Sequence, residues 1–130
     1  MIVKQVSVFV ENTVGRLADL TKILTDNNID LKASTIAETV DFGILRCIVE
    51  EPEKTVKILV ENGFSASISE VTGVSLEDKP GGLHKVLAVL AEAGIAVNYI
   101  YSTIKSAEGK AIIMMKTSDA AKAEEVLKAS

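Results

Sequence analysis

Two loops carry the residues best placed to do chemistry. Glu11-Asn12-Thr13-Val14-Gly15-Arg16-Leu17 closes one apolar stretch and opens an amphipathic one. Sixty-six residues later, Glu77-Asp78-Lys79-Pro80-Gly81-Gly82-Leu83 does the same. Gly15 and Gly81 carry no Cβ, so a ligand or a neighbouring backbone can come close. Open amides at the start of the following helix, at its positive dipole end, suit a carboxylate. The carboxamide of Asn12 or the carboxylate of Asp78 can accept hydrogen bonds from an ammonium group. Each loop thus pairs donors for an anionic group with acceptors for a cationic one.

Plainer roles compete with these. Asn12 and Asp78 serve either as helix caps or as ligand contacts. Gly15 and Gly81 serve either close approach of a ligand or close packing of helix on sheet. His84 is the only histidine, and no second histidine or cysteine lies in a motif with it, so a surface or packing role is expected. Cys47 lies mid-strand among apolar residues and reads as a small buried side chain. Tyr99 and Tyr101 share one strand face and read as packing residues that could also line a specificity pocket. Glu50-Glu51-Pro52-Glu53 reads as a solvated turn with acids at a helix start. The chain has no Gly-x-Ser-x-Gly, P-loop, paired histidines or HExxH, so neither a catalytic constellation nor a metal or cofactor is expected.

The elements that position the loops repeat as well. The same offset pairs Gly15 with Gly81, Leu17 with Leu83, Leu24 with Leu90, Ile29 with Ile95 and Gly43 with Gly109. A period this long is a whole small domain rather than a solenoid unit. Residues 3–10 alternate as a strand, with Val6, Val8 and Val10 on one face. Asn12 or Thr13 can cap a helix carrying Leu17, Leu20 and Leu24, which Asn27-Asn28 stops. Strands at 30–37 and 42–50 turn near Val40-Asp41. Pro52 opens a second helix, Asn62-Gly63 ends it, and residues 64–70 form a fourth strand. The second half runs as strand 72–77, a helix with Pro80 in its first turn that ends at Gly94, strands 96–104 and 110–116 joined through Ser106-Ala107-Glu108-Gly109, and a last helix.

This order is α+β: two ferredoxin-like βαββαβ units, 1–70 and 71–130, the second lacking its last strand, each an antiparallel sheet with helices on one face. The gap leaves strand 72–77 open on one side, so either the chain ends early or another strand fills the edge. The middle strands are apolar on both faces, as Ile44, Leu45, Cys47 and Ile48 show, so the second sheet face is expected to be covered. That covering, and the open edge, predict a homodimer.

Composition narrows the function classes. A net charge of −4 gives no basic footprint for nucleic acid. No run of 18 apolar residues offers a membrane span. The start lacks a signal-peptide pattern, and one cysteine excludes a disulfide framework, so a cytoplasmic setting is expected. Halves of about 65 residues are marginal alone and should share an interface.

The repeated loop resembles that of the ACT domain family, small regulatory modules of amino-acid metabolism. The motif is an apolar strand, a polar or acidic pair, then Pro-Gly-x-Leu opening a helix. The second unit matches through Asp78, Pro80, Gly81 and Leu83. The first keeps Asn12, Gly15 and Leu17 and has Val14 in place of proline. The resemblance implies a regulatory or sensor protein, not an enzyme, that binds a free amino acid at the seam between units and signals to a separate partner. Its alternative is a regulatory subunit that holds an enzyme of amino-acid metabolism, with weak or no ligand binding. A third class is a small metabolic enzyme on the same scaffold. Carried over by position, the ligand contacts are Glu11, Asn12, Val14, Gly15 and Asp30 in the first unit. In the second they are Asp78, Pro80, Gly81 and Ala96 or Asn98. The ambiguity arises because Ser34-Thr35-Ile36 and Ser102-Thr103-Ile104 match at an offset of 68. Since the strand period is two, the slip keeps side-chain facing unchanged.

Overall fold

The computed structural model describes residues 1–103 and 108–130. The expected turn at Ser106-Ala107 and the strand end at Ile104 lie outside the described residues. Among these residues the chain runs β1 (Ile2–Glu11), α1 (Arg16–Asp26), β2 (Ala33–Glu38), β3 (Phe42–Ile48), α2 (Pro52–Glu61), β4 (Ser65–Glu77), α3 (Gly82–Glu92), β5 (Val97–Ser102), β6 (Lys110–Thr117) and α4 (Ala120–Ala129). The fold is α+β, as the sequence pattern predicts. No helix of the described residues is long and apolar enough to cross a membrane.

The chain divides into two compact units, Lys4–Ser69 and Met1–Val3 with Glu70–Ser130. The expected fourth strand of the first half and first strand of the second are one continuous strand of 13 residues, β4. The chain therefore passes between units inside β1 and inside β4, not through a linker.

In the unit Lys4–Ser69 the strand order is β2-β3-β1-β4. β1 pairs antiparallel with β3, with Val6 opposite Cys47 and Val10 opposite Gly43. β2 pairs antiparallel with β3, with Ala33 opposite Ile48 and Glu38 opposite Gly43. Alternation puts Val6, Val8, Val10, Leu45 and Cys47 on the face covered by α1 and α2, where they pack with Leu20, Leu24, Leu59 and Phe64. Leu17, expected to face inward, is 41% exposed because it lies in the first turn of α1, near the mouth of the loop.

The unit Met1–Val3 with Glu70–Ser130 builds the same layer from β4, β6 and β5. β4 pairs antiparallel with β6, with Val74 opposite Ile113. β5 pairs with β6, with a register shift between Val97 and Tyr99. Leu90, Ile95, Met115 and Ala123 form the core under α3 and α4. Met114 and Tyr101, on the other face, are buried as well. The start of β1 takes part of the open edge, at Gly73. The Met1 nitrogen donates to the Gly73 carbonyl at 2.8 Å, and the Gly73 N–H donates to the Met1 carbonyl at 2.7 Å. A strand from elsewhere in the chain thus reaches the edge that the sequence pattern leaves open.

Gly73 is where this edge packs tightly: a Cβ there would meet Val3 Cγ2 at 3.2 Å and Met114 Sδ at 3.4 Å. Gly73→Val should therefore cost about 1–3 kcal/mol by overpacking. Urea unfolding should show Val3→Ala recovering part of that loss in the double mutant, because the two side chains share one space. Strictly additive effects would mean that Val3 does not pack on β4.

Candidate functional site

Both strand-to-helix loops are built from the same hydrogen bonds. Asn12 N–H donates to Asp41 O at 3.0 Å and Asp78 N–H to Gly109 O at 3.1 Å. Thr13 N–H donates to Glu11 O at 2.8 Å and Lys79 N–H to Glu77 O at 2.9 Å. Asp19 N–H donates to Gly15 O at 2.9 Å and Lys85 N–H to Gly81 O at 3.1 Å. These bonds fold the loop back on the strand end and start the helix at a fixed angle to the sheet.

The helix caps are the glycines, at φ +86° for Gly15 and +89° for Gly81, and neither helix has a side-chain cap bond. This left-handed geometry is one that other residues adopt at a cost of about 1–2 kcal/mol. Neither glycine has an atom within 4 Å of where a Cβ would sit. Their role is thus backbone conformation, where the sequence suggested close approach or close packing. Close packing falls instead on Gly82, where a Cβ would stand 2.1 Å from Glu77 O. Pro80, expected in the first turn of α3, lies just before the Gly81 cap. Asn12 and Asp78 are not caps either. The Asn12 side chain donates to Val40 O at 3.4 Å. The one capping side chain that the sequence reading missed is Asp119, which accepts from Lys122 N–H at 3.0 Å.

The first loop opens on a cavity of about 370 Å³ lined by Val10, Glu11, Asn12, Thr13, Leu17, Ile36, Glu38 and Gly43. Its floor is apolar. Gly43 makes room for Ile36, whose Cγ1 lies 3.2 Å from where a Gly43 Cβ would be. Its polar side chains are the Asn12 amide, the Thr13 hydroxyl and the carboxylates of Glu11 and Glu38. Arg16 Nε donates to Glu11 at 2.6 Å, and this bond holds the Glu11 carboxyl below its usual pKa. The Arg16 guanidinium also lies 4.0 Å over the Phe64 ring, which fixes it at the side of the loop. Glu38 has no ion pair within 4 Å among the described residues, so its carboxylate is the cavity's uncompensated charge.

A cavity of about 230 Å³ at the second loop is lined by Ser75, Leu76, Glu77, Lys79, Gly82, Lys85, Val86 and Lys110; of these, Leu76, Glu77 and Lys79 match lining positions of the first cavity, and the rest lie elsewhere around the helix start. Asp78, Pro80 and Gly81 are exposed and outside that lining, as Val14 and Gly15 are outside the first. Asn98 is exposed on β5 and Ala96 precedes that strand; neither lines the second cavity.

Asp30 is not brought to Asn12. It precedes β2 rather than belonging to it, and it lines a separate cavity of about 490 Å³ with Asn28, Lys32, Glu50, Glu51 and Thr55. That cavity is at the far end of α1, whose 11 residues span about 16 Å. The strand residues that do reach the first loop are Ile36 and Glu38, at the end of β2. The signal for them was antiparallel register: β3 begins opposite the end of β1, so β2 must end there.

Cys47 is buried, and desolvation pushes its thiol up to about 12. His84 is exposed. Among the described residues no three His, Cys, Asp or Glu side chains gather as metal ligands.

The sequence profile of the ACT domain pair matches residues 1–130. The chain belongs to the ACT domain pair family. The two loops are thus the strand-to-helix loops of two ACT units. No curated protein matches the chain significantly. Among solved structures, a protein from Bacteroides thetaiotaomicron is 43% identical, with a TM-score of 0.92 over 98% of this chain and 88% of that one. The regulatory subunit of aspartate kinase from Thermus thermophilus, in a ligand-free form, gives a TM-score of 0.70 at 14% identity over 96% of this chain and 90% of that one. The corresponding Thermus flavus subunit gives 0.66 at 15% identity over 97% and 88%. At such identities the likeness is one of fold.

Two outcomes test this local account. Asn12→Ala should change stability by less than about 0.5 kcal/mol in urea, as at an ordinary exposed position, while Asp119→Ala should cost about 1 kcal/mol as a lost cap. A cost near 1 kcal/mol for Asn12→Ala would restore the capping role. Cys47 should stay unlabelled by a thiol-exchange reagent near pH 8 and react fully once the chain is unfolded in denaturant. Fast labelling of the folded chain would show that β3 opens.

Proposed function

We propose that this ACT pair is a non-catalytic regulatory protein that senses a free amino acid at the loop 11–15 cavity and passes the signal to a separate partner. The observation that carries the reading is the composition of that cavity: an apolar floor of Val10, Leu17 and Ile36 beside the Asn12 amide and the unpaired Glu38 carboxylate, at the N-terminal end of α1. The ligand's ammonium would meet Asn12 and Glu38. Its carboxylate would take α1 amides near Gly15. Its side chain would lie on the apolar floor. Asp30, in the other cavity, drops out of this arrangement.

The same reading has the chain acting as a homodimer. The Phe9 and Phe42 rings lie 5.3 Å apart, tilted at 46°, on the sheet face away from α1 and α2, and Phe9 is 51% exposed. Exposed aromatics of this kind mark association. Light scattering should give about twice 13.8 kDa. A partner enzyme of amino-acid metabolism is supported by the fold neighbours, whose names describe regulatory subunits of aspartate kinase. If association with such an enzyme is the main role and ligand binding is weak, the chain should co-purify with the enzyme and ignore free amino acids. A reducing, cytoplasmic setting suits a chain with one free buried cysteine.

A thermal-shift screen of the twenty amino acids tests the sensor reading. One or a few should raise the unfolding temperature. For these, titration calorimetry of Asn12→Ala and of Glu38→Gln should show affinity reduced by about tenfold, the worth of one hydrogen bond to a charged group. No response to any amino acid, or a response untouched by both variants, would move the site away from this loop.

A further inference from the structure

The two ACT loops share one backbone and differ in charge. At the equivalent positions, Thr13, Asp19 and Phe42 of the first unit become Lys79, Lys85 and Lys110 of the second. These lysines come from three separate elements, the loop, α3 and β6, and all three line the second cavity. Its lining carries a single carboxylate, Glu77. Lys79 Nζ holds that carboxylate at 2.7 Å, and Lys85 and Lys110 add their fields, so the Glu77 carboxyl is held below its usual pKa. Neither Lys85 nor Lys110 has an ion pair within 4 Å among the described residues. One carboxylate therefore serves three ammonium groups.

Lys85 is also in the wrong place for stability. α1 has an acid in its first turn, Asp19, as the helix dipole favours. α3 has no acid there and carries Lys85 instead, so a cation faces the positive end of the helix. α1 also has a cation there, Arg16, but sets Asp19 4.0 Å from it, whereas Lys85 has no acid in its turn, and a bound anion would offset that charge.

We propose that the cavity of loop 77–82 binds a small dianion bearing carboxylate or phosphate groups, held between Lys85 and Lys110 at the N-terminus of α3. The pair is then a two-input module, with a cavity of negative charge in one unit and of positive charge in the other. The proposal stands apart from the amino-acid reading of the first loop.

The test is titration calorimetry and thermal unfolding of the full chain with succinate and, separately, with inorganic phosphate, at constant ionic strength made up with chloride. Saturable binding of either supports the proposal, and whichever binds tells dicarboxylate from phosphate. Lys85→Asp, which restores the first unit's residue, should weaken binding by about tenfold or more and raise the unfolding temperature of the unliganded chain. Lys110→Ile should weaken binding similarly and keeps the test decisive if Lys85→Asp folds poorly. Lys57→Ala, on α2, should leave binding unchanged. A response no greater than that to chloride, or one that survives both Lys85→Asp and Lys110→Ile, would overturn the proposal. Neither result bears on the amino-acid screen, whose variants lie in the other unit.

Discussion

A left-handed glycine at the start of a helix is the constraint on which both sites depend. Gly15 and Gly81 turn the chain from strand to helix within a few residues and set each helix N-terminus beside its strand end. A side chain at either position would meet no steric wall, so the requirement is one of backbone angle alone. With the turn fixed, no side chain is needed as a cap, and Asn12 and Asp78 are released from that duty. The first loop uses this freedom for an amide at the rim of its cavity. The second surrounds its cavity with lysines.

The divergence between repeats is informative because the scaffold is shared. Matching hydrogen bonds at Asn12 and Asp78, Thr13 and Lys79, and Asp19 and Lys85 hold the two backbones alike. Beside the change of charge, Arg16 stands against Gly82. Arg16 needs room to reach Glu11 and to cover Phe64. At Gly82 the Glu77 carbonyl comes so close that a Cβ has no place. The first loop thus carries a side chain where the second brings backbone against backbone.

Much of this was legible in the sequence. The internal repeat, the alternation of Val6, Val8 and Val10, and the helical spacing of Leu20 and Leu24 placed the elements, because local periodicity reports which face is buried. Loop composition placed the candidate site. Three things were not legible, each for a physical reason. The pairing of Met1 with Gly73 joins residues 72 apart, and no local pattern records it. β4 reads as two strands because the repeat suggests a boundary where the backbone continues. Asp30 was assigned to the first loop by position in a motif, whereas antiparallel register brings Ile36 and Glu38 there. The Asp119 cap was legible in principle, as an acidic residue just before an apolar helical run.

The most direct measurement is a backbone amide NMR titration with whichever amino acid stabilises the chain. The account predicts saturable shifts concentrated at residues 12–17 and 36–43, the loop and the strand ends that line its cavity. Shifts centred instead on Asn28, Asp30, Glu50 and Glu51 would place the ligand at the far end of α1 and contradict it.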